Sequence, residues 1–182
     1  LTAGSGWDIV LGDNGKVVRT AAFVPTTIRS LANDTNGGDD LNIDGGAGND
    51  TLLGGAGNDT IFGNTGNDTI FGDNGEVVPG EAVSIDVSFG GKDTIDAGPG
   101  DDAVIGGVDG ELKVFGGAGN DRILGDNGRI RRTGVSFADP GLITETIAEH
   151  PEILNAGNDA LMDGGDDDDV IIAGSGRDKA FG

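Results

Sequence analysis

Groups of three residues that contain two or three large apolar side chains recur along this chain, and each group follows about six small or polar residues. The clearest run is 45–71, where GGAGNDTLL, GGAGNDTIF and GNTGNDTIF stand head to tail. Gly, Asn and Asp adopt the positive-φ conformations of tight turns, whereas Thr, Ile, Leu and Phe favour strands. Each nine-residue unit therefore predicts a turn and a short strand whose middle side chain points to one face.

The same unit occurs well outside this run. Further copies stand at 3–11, 97–105, 116–124, 164–172 and 173–181, and a ten-residue variant, GGVDGELKVF, stands at 106–115. Two units make one flattened coil, and stacked coils lie about 4.8 Å apart, as neighbouring strands do. The 37 glycines exclude long helices, because each interior Gly costs a helix roughly 1 kcal/mol relative to Ala. The pattern predicts an all-β chain of stacked coils.

The word GDNG occurs three times, and the nine-residue period stops after each copy, at 12–15, 72–75 and 125–128. The period resumes at GGDDLNID (37–44), GGKDTID (90–96) and AGNDALMD (156–163). We call the segment where the period resumes the return. GDNG supplies the first four positions of a unit and the return supplies the fifth onward. Each GDNG and its return therefore form one turn that an insertion has opened. Three intact units separate successive split turns. The super-repeat is thus two coils, and every insertion falls on the same edge, here called the inserted edge.

The insertions cover about 16–36, 76–89 and 129–155, and their apolar residues alternate as in strands. We expect hairpins that project from the inserted edge, spaced by two coils, or roughly 10 Å. The alternative is that they are loops without regular structure, in which case GDNG is an ordinary hairpin turn signal.

The acidic charge of the chain implies that the stacked coils bind cations. The formal net charge is -21, and only six of the 32 acidic residues are Glu. Asp residues of adjacent coils repel each other by roughly 3 kcal/mol at an effective dielectric of 20. The stack therefore needs counter-cations, and Ca²⁺, which takes six to eight oxygen ligands, suits short carboxylates and backbone carbonyls. The same charge disfavours nucleic acid and anionic membranes as partners.

The tandem units fit the pattern GGxGxDxUx, in which U is a large aliphatic residue. In this respect the chain resembles the RTX (repeats-in-toxin, haemolysin-type) family of calcium-binding proteins. The resemblance implies a parallel β-roll, that is, a calcium-stabilised β-solenoid, with several Ca²⁺ ions as cofactors. It also implies a secreted or cell-surface bacterial protein, exported by a type I system and folded outside in calcium. We expect 1–182 to be a single RTX domain and, because it begins with Leu1, a fragment of a longer chain.

The candidate calcium ligands are the sixth-position Asp residues and the turns around them. On the edge without insertions, the regular edge, these are Asp8, Asp50, Asp68, Asp102, Asp121 and Asp169, and we expect about five Ca²⁺ between them. On the inserted edge they are Asp40, Asp59, Asp93, Asp159 and Asp178. The turn residues expected to contribute are Gly45, Gly46, Gly48, Asn49, Gly54, Gly55, Gly57, Asn58, Gly63, Asn64, Gly66, Asn67, Gly116, Gly117, Gly119 and Asn120.

The sequence does not assign the ligand role of two groups of residues on the inserted edge. The unit at 106–115 has no sixth-position Asp and offers Asp109 or Glu111 instead, so no calcium ion is assigned beside it. The GDNG aspartates, Asp13, Asp73 and Asp126, are further ligand candidates where each insertion departs.

Nothing in the sequence indicates catalysis. His150 is the only histidine, there is no Cys, and no GKS or GKT follows a Gly-rich run. No stretch is apolar for long enough to cross a bilayer, so we expect no membrane insertion. We predict a calcium-binding structural repeat module. The alternatives are a glycan- or protein-binding adhesion module that uses the insertions or the ninth-position Phe residues, and an accessory domain of an extracellular enzyme.

Overall fold

The computed structural model describes residues 1–31, 37–134, 136, 141–148 and 157–182, and these residues contain strands and no helix. The strands are β1 (Ile9–Leu11), β2 (Gly15–Arg19), β3 (Pro25–Ser30), β4 (Ile43–Asp44), β5 (Thr51–Leu53), β6 (Thr60–Phe62), β7 (Thr69–Phe71), β8 (Gly75–Val78), β9 (Glu81–Ser84), β10 (Thr94–Pro99), β11 (Ala103–Ile105), β12 (Lys113–Ala118), β13 (Arg122–Leu124), β14 (Gly128–Arg132), β15 (Ile143–Ala148), β16 (Met162–Asp166), β17 (Val170–Ile172) and β18 (Ala180–Phe181).

Successive nine-residue units alternate between two parallel six-stranded sheets. The first parallel sheet has the order β1-β5-β7-β11-β13-β17, and the second has the order β4-β6-β10-β12-β16-β18. The units pair in register, so that the middle residue of each strand lies beside the middle residue of the next, as Ile61 lies beside Ile95 and Ile95 beside Val114. Among the described residues, the predictions of an all-β fold and of parallel strands in the repeat units are confirmed.

The middle side chains of both parallel sheets form one shared core. Its fully buried members alternate between the two sheets along the chain: Ile43, Leu52, Ile61, Ile70, Ile95, Val104, Val114, Ile123 and Met162. Each coil contributes only two such side chains, so this core is narrow and long. Further stabilisation must come from its two faces and its two edges.

The turns are stacked so closely that their glycines cannot carry side chains. Gly66 has φ 131°, and a Cβ there would overlap the carbonyl group of Gly48 in the neighbouring turn. Gly48 stands in the same relation to Gly6. The fourth position of the unit is therefore Gly for two reasons, its backbone conformation and the approach of the next coil.

The two halves of each split turn come together, but they divide the unit differently from the prediction. The returning glycines Gly38, Gly91 and Gly157 take the fourth position, which the prediction gave to GDNG, as Gly91 lies against Gly57 in the way that Gly66 lies against Gly48. The first Gly of an intact unit lies against the sixth-position Asp of that unit, as Gly45 lies against Asp50. In the split units, the first Gly of GDNG lies in the same way against the Asp of the distant return, Gly12 against Asp40 and Gly72 against Asp93. The three returns lead into β4, β10 and β16, which alternate with intact units in the second parallel sheet, so all three insertions share one edge.

The insertions form a third sheet, which we call the cover sheet. Its strands pair as the hairpins β2/β3, β8/β9 and β14/β15, and β3 also pairs with β8 and β9 with β14, all antiparallel. The expected hairpins are present, but they do not project from the edge as predicted. They lie over the outer face of the first parallel sheet, where Ile28, Val77, Ala82 and Ile130 pack against its ninth-position side chains Leu53, Phe71, Ile105 and Leu124.

The geometry of strands explains why the hairpins join into one sheet. Successive insertions are two coils apart, or about 9.6 Å, and a hairpin is two strands wide, which is also about 9.6 Å. Each hairpin therefore fills the space up to the next, and its outer strand meets a neighbour at hydrogen-bonding distance. The short units cannot bury the outward-facing apolar side chains of the first parallel sheet. Burial of these side chains stabilises the hairpins in their position over that sheet.

The last Gly of each GDNG makes this fold-back possible. A Cβ at Gly75 would collide with the ring of Phe71, the ninth residue of the preceding strand, and Gly15 and Gly128 face Leu11 and Leu124 in the same way. A buried serine then joins each hairpin to the next, because the N–H of Gly75 donates to Ser30 Oγ at 3.3 Å and the N–H of Gly128 to Ser84 Oγ at 3.0 Å.

The four ninth-position Phe residues fall into two classes. Phe71 is 1% exposed under the cover sheet. Phe62, Phe115 and Phe181 belong to the second parallel sheet, where Phe62 and Phe115 are half-buried and Phe181 is exposed. The hairpins thus cover Phe71, whereas the three Phe residues of the second parallel sheet lie outside the cover sheet.

Candidate metal centre

The regular edge carries an unbroken ladder of aspartates. The backbone N–H of each sixth-position Asp donates to Oδ1 of the sixth-position Asp in the next coil, at distances of 2.7–2.9 Å from Asp8 through Asp50, Asp68, Asp102 and Asp121 to Asp169. The strict register of the first parallel sheet produces this repetition. All six aspartates predicted for this edge are therefore brought into one file.

The second carboxylate oxygen of these aspartates is left without a donor. Oδ2 is buried and accepts no hydrogen bond at Asp50, Asp68, Asp102, Asp121 and Asp169, whereas Asp8 Oδ2 accepts the N–H of Gly4 at 3.3 Å. The Gly63 carbonyl oxygen and Asp50 Oδ2 each lie 2.9 Å from the place where Gly45 would carry a Cβ. Absence of a side chain at the first position thus leaves room for a cluster of oxygens.

The pKa values of these aspartates show that burial disfavours their ionised form. Burial raises the pKa of Asp102 to about 8, of Asp68 to about 7, and of Asp50 and Asp121 to about 6, from 3.8. Backbone donors from the preceding coil oppose the rise, and the carboxylates of the neighbouring coils add to it. Without a cation, part of this file holds protons at neutral pH.

A second ladder runs through the fifth position, in the opposite sense. Asn67 N–H donates to Asn49 Oδ1 at 2.8 Å, and Asp101 N–H donates to Asn67 Oδ1 at 3.0 Å. On the inserted edge, Lys92 N–H donates to Asn58 Oδ1 at 2.9 Å. Asn120 lies above Asp101 and donates to it through both its N–H and its amide. These asparagines, predicted as ligands, hold adjacent turns together by hydrogen bonds, and their ligand role stays a prediction.

The predicted turn glycines lie in the same turns and divide by position. Second- and fourth-position glycines take positive φ, namely Gly46, Gly48, Gly55, Gly57, Gly66, Gly117 and Gly119, and first-position glycines lie against the sixth-position carboxylates, namely Gly45, Gly54, Gly63 and Gly116. Asn64 replaces a second-position Gly with φ 70°, and its amide donates to Asp44 at 2.9 Å rather than facing the aspartate file.

The inserted edge has a similar ladder with one substitution. Asp40 N–H donates to Asp59 at 2.7 Å, Asp59 N–H to Asp93 at 2.8 Å, and Asp159 N–H to Asp178 at 3.1 Å. In the ten-residue unit, Glu111 takes the place of the sixth-position Asp, since its N–H donates to Asp159 Oδ1 at 2.9 Å and its carboxyl lies against Gly106. Of the two residues that the sequence offered for this place, Glu111 is buried and Asp109 is exposed.

The GDNG aspartates reach across to the next coil. Asp13 Oδ2 accepts the N–H of Ala56 at 2.7 Å, Asp126 Oδ2 accepts that of Ser175 at 2.6 Å, and Asp73 accepts those of Val108 and Gly91. Each lies against a second-position Gly of the next unit, Gly55, Gly107 or Gly174. Sequence reasoning did not predict this contact, although identical spacing of Asp in all three GDNG words was the available signal.

One cation from the cover sheet reaches the regular edge. Arg132 Nη2 donates to the carbonyl oxygen of Asp68 at 2.9 Å. Burial lowers the pKa of Arg132 to about 10, against the opposing attraction of Asp102 and Asp68. The cover sheet is therefore linked to the aspartate file at its centre.

This donor set fits calcium. Buried carboxylate oxygens without donors are costly unless a cation or a proton meets them, and oxygen-only ligation by carboxylates and carbonyls is what Ca²⁺ prefers. The residues that would hold it are the sixth-position carboxylates and the carbonyls of the glycine turns. When bound, Ca²⁺ supplies positive charge that offsets the repulsion between coils.

His150 lies outside the described residues. Among the described residues there is no helix long and apolar enough to cross a membrane.

Comparison with protein families gives one match, the RTX calcium-binding nonapeptide repeat, in four copies at 44–76, 89–109, 113–129 and 154–180. These ranges cover just over half of the chain and leave out most of the inserted segments. Comparison with curated proteins and with solved structures gives no significant match. The repeat of this family is a structural unit that binds several Ca²⁺ ions and is not catalytic, and proteins that carry it are typically secreted. The chain belongs to the family of RTX calcium-binding nonapeptide repeat proteins.

Proposed function

We propose that this chain is a closed parallel β-roll that folds when Ca²⁺ binds between its coils, as a structural module of a secreted or cell-surface bacterial protein. In calcium-poor surroundings the acidic chain, with its formal net charge of -21, repels itself and stays unfolded. In millimolar calcium, binding and folding are one event. Export by a type I system in the unfolded state is consistent with this coupling.

The observation that carries the proposal is the file of unpaired Oδ2 atoms at Asp50, Asp68, Asp102, Asp121 and Asp169. Each is buried beside the next coil, where a shared cation would meet two carboxylates. We assign about five Ca²⁺ to this edge and further ions to the sixth-position residues of the inserted edge.

A second candidate function, adhesion to a glycan or a surface protein, is favoured by Phe62, Phe115 and Phe181. They do not form a continuous row, because Asp96 lies between the first two and Asp163 lies between the last two. These rings lie on the outer face of the second parallel sheet, away from the cover sheet, and Phe181 is 57% exposed. Loss of glycan-array or protein binding in a Phe62→Ser, Phe115→Ser variant that still folds in calcium would support adhesion. A role as accessory domain of an extracellular enzyme depends on the rest of the parent chain.

The proposed function is tested by titrating the chain with Ca²⁺ and following strand formation by circular dichroism. We expect an unfolded spectrum in chelator at low ionic strength and a cooperative transition on adding calcium. Asp102→Asn should raise the calcium midpoint at least tenfold, or about 1.4 kcal/mol, because Asp102 would serve the ions on both sides of it.

Asp96→Asn is the matched control. It removes the same charge from an exposed side chain on the outer face of the second parallel sheet, and its midpoint should stay within twofold of the unaltered chain. A compact, strand-rich chain in excess chelator, or equal shifts for both variants, would contradict the proposed function.

A further inference from the structure

Three carboxylates converge at the middle of the inserted edge from three separate stretches of the chain. Asp73 comes from the second GDNG, Asp93 from the return of the same split turn, and Glu111 from the ten-residue unit above it. One oxygen from each lies within 4.8 Å of the other two. Asp93 and Glu111 are 0% exposed and Asp73 is 4% exposed, so water does not screen them.

The cluster has no positive partner among the described residues. No N–H group donates to either oxygen of Glu111 or to Asp93 Oδ2, and the Glu111 carboxyl also lies beside that of Asp159. Lys92 directly precedes Asp93, but its Nζ donates to the carbonyl oxygens of Asp109 and Gly110 on the surface, at 2.5 and 3.2 Å. An unpaired, fully buried carboxylate therefore points into a site already lined by two others.

The backbone of the ten-residue unit at 106–115 places Glu111 at this cluster. Its extra residue is absorbed where Asp109 and Gly110 take φ 72° and 73°. The ladder is kept, because Glu111 N–H still donates to Asp159 Oδ1 at 2.9 Å. The longer side chain of Glu then extends its carboxyl under Gly106, whose missing Cβ would lie 2.6 Å from the Glu111 carboxyl carbon.

We propose that Asp73, Asp93 and Glu111 form a calcium site with a ligand set outside the nonapeptide rule. The proposal rests on the proposed calcium-binding function and extends it to a place where the repeat pattern predicts no ion. A site between consensus turns has two sixth-position carboxylates, whereas this one adds the carboxylate of Asp73 to those of Asp93 and Glu111. Because calcium affinity rises with the number of charged ligands, it fills at lower calcium concentration than the regular edge. Ca²⁺ is favoured over Mg²⁺, which needs a stricter octahedron and keeps more of its water.

Two measurements test the site. In crystals of the unaltered chain grown with calcium, long-wavelength diffraction should give an anomalous difference peak between Asp73, Asp93 and Glu111. In equilibrium dialysis with labelled calcium, Glu111→Gln and Asp73→Asn should each bind one Ca²⁺ fewer per chain and lose the tightest binding step.

Asp109→Asn is the control, since it removes an exposed charge from the same turn and Asn also tolerates positive φ. It should bind as many ions as the unaltered chain.

The outcomes separate this inference from the proposed function. A chain that binds no calcium at all would overturn both. Anomalous peaks along the regular edge with none at Asp73, Asp93 and Glu111 would overturn this inference alone, and so would an undiminished ion count in Glu111→Gln. If Glu111→Gln fails to fold, the peak in the unaltered chain decides.

Discussion

At the scale of single residues, the nine-residue unit assigns a separate task to each position. The first Gly makes room for a carboxylate, as Gly45 does for Asp50, and the fourth Gly lets the next coil approach, as Gly66 does for Gly48. The sixth Asp uses Oδ1 for the ladder and leaves Oδ2 for a cation. Because one side chain serves two coils, a change at one position affects both.

Gly66→Ala is expected to destabilise the calcium-bound fold by at least about 2 kcal/mol, since Ala is strained at positive φ and its Cβ would meet backbone that cannot move aside. Urea denaturation in saturating calcium measures this free energy of unfolding. Gly38→Ala, where a Cβ would have no heavy atom within 4 Å, should change it by less than about 0.5 kcal/mol. Similar losses in both variants would show that the turns are not stacked as described.

At the scale of elements, the cover sheet turns the insertions into part of the fold. Its inner face, with Val77 and Ile130, gives the first parallel sheet a second apolar layer. Its outer face carries cross-strand ion pairs, Arg29 with Glu76 at 3.5 Å and Arg131 with Glu81 at 3.0 Å. Arg and Glu are thus paired on the solvated face of the cover sheet. Exposed pairs of this kind contribute little energy, so the apolar inner face provides the stability of the cover sheet.

Substitutions of two valines on adjacent hairpin strands test whether the inner face of the cover sheet provides its stability. Val77 is 6% exposed and faces the first parallel sheet, while Val83 is half-buried on the outer face. Val77→Ser should cost about 2–3 kcal/mol of unfolding free energy, from lost burial and an unpaired hydroxyl, and should raise binding of an apolar dye such as ANS. Val83→Ser should cost less than about 1 kcal/mol. A hairpin row that projected freely would give two small and equal effects.

At the scale of the whole molecule, stability is linked to both protons and calcium. Burial raises the pKa of Asp102 and Asp93 to about 8 and that of Asp59 to about 7, from 3.8. In the metal-free folded chain these groups hold protons that the unfolded chain has already released. The metal-free fold is therefore most stable below pH 3.8 and loses this stabilisation as the pH rises toward 8. Calcium binds the deprotonated carboxylates, so its affinity for the metal-free folded chain rises over the same pH range.

We expect the calcium midpoint for folding to stay nearly constant between pH 8 and 5 and to rise as the pH is lowered further toward 3.8, because the unfolded metal-free chain binds protons only there. Protons should be released on calcium binding at pH 4, where calcium displaces them from carboxyl groups of the unfolded chain, but not at pH 7. Calorimetry in two buffers of different ionisation enthalpy gives the number released, and dichroism at each pH gives the midpoint. A midpoint that falls steadily from pH 5 to 8, with protons released at pH 6, would show that a protonated folded state without metal precedes calcium binding, and would contradict coupled folding.

The sequence alone determined the repeat, its two alternating sheets, the split turns and the aspartate files, because each of these depends on residues within one or two units and on the fixed spacing of strands. It predicted hairpins from the alternation in the insertions, yet it gave them the wrong position. Only the tertiary structure decided that they cover the first parallel sheet, since this depends on apolar surface left by units far away in the chain, such as Phe71 beside Val77 and Ile105. The same holds for Glu111, whose role required knowing that an extra residue at Asp109 and Gly110 is absorbed by two left-handed conformations. Local pattern fixes which groups repeat, whereas their burial and their partners across the stack are properties of the assembled coils.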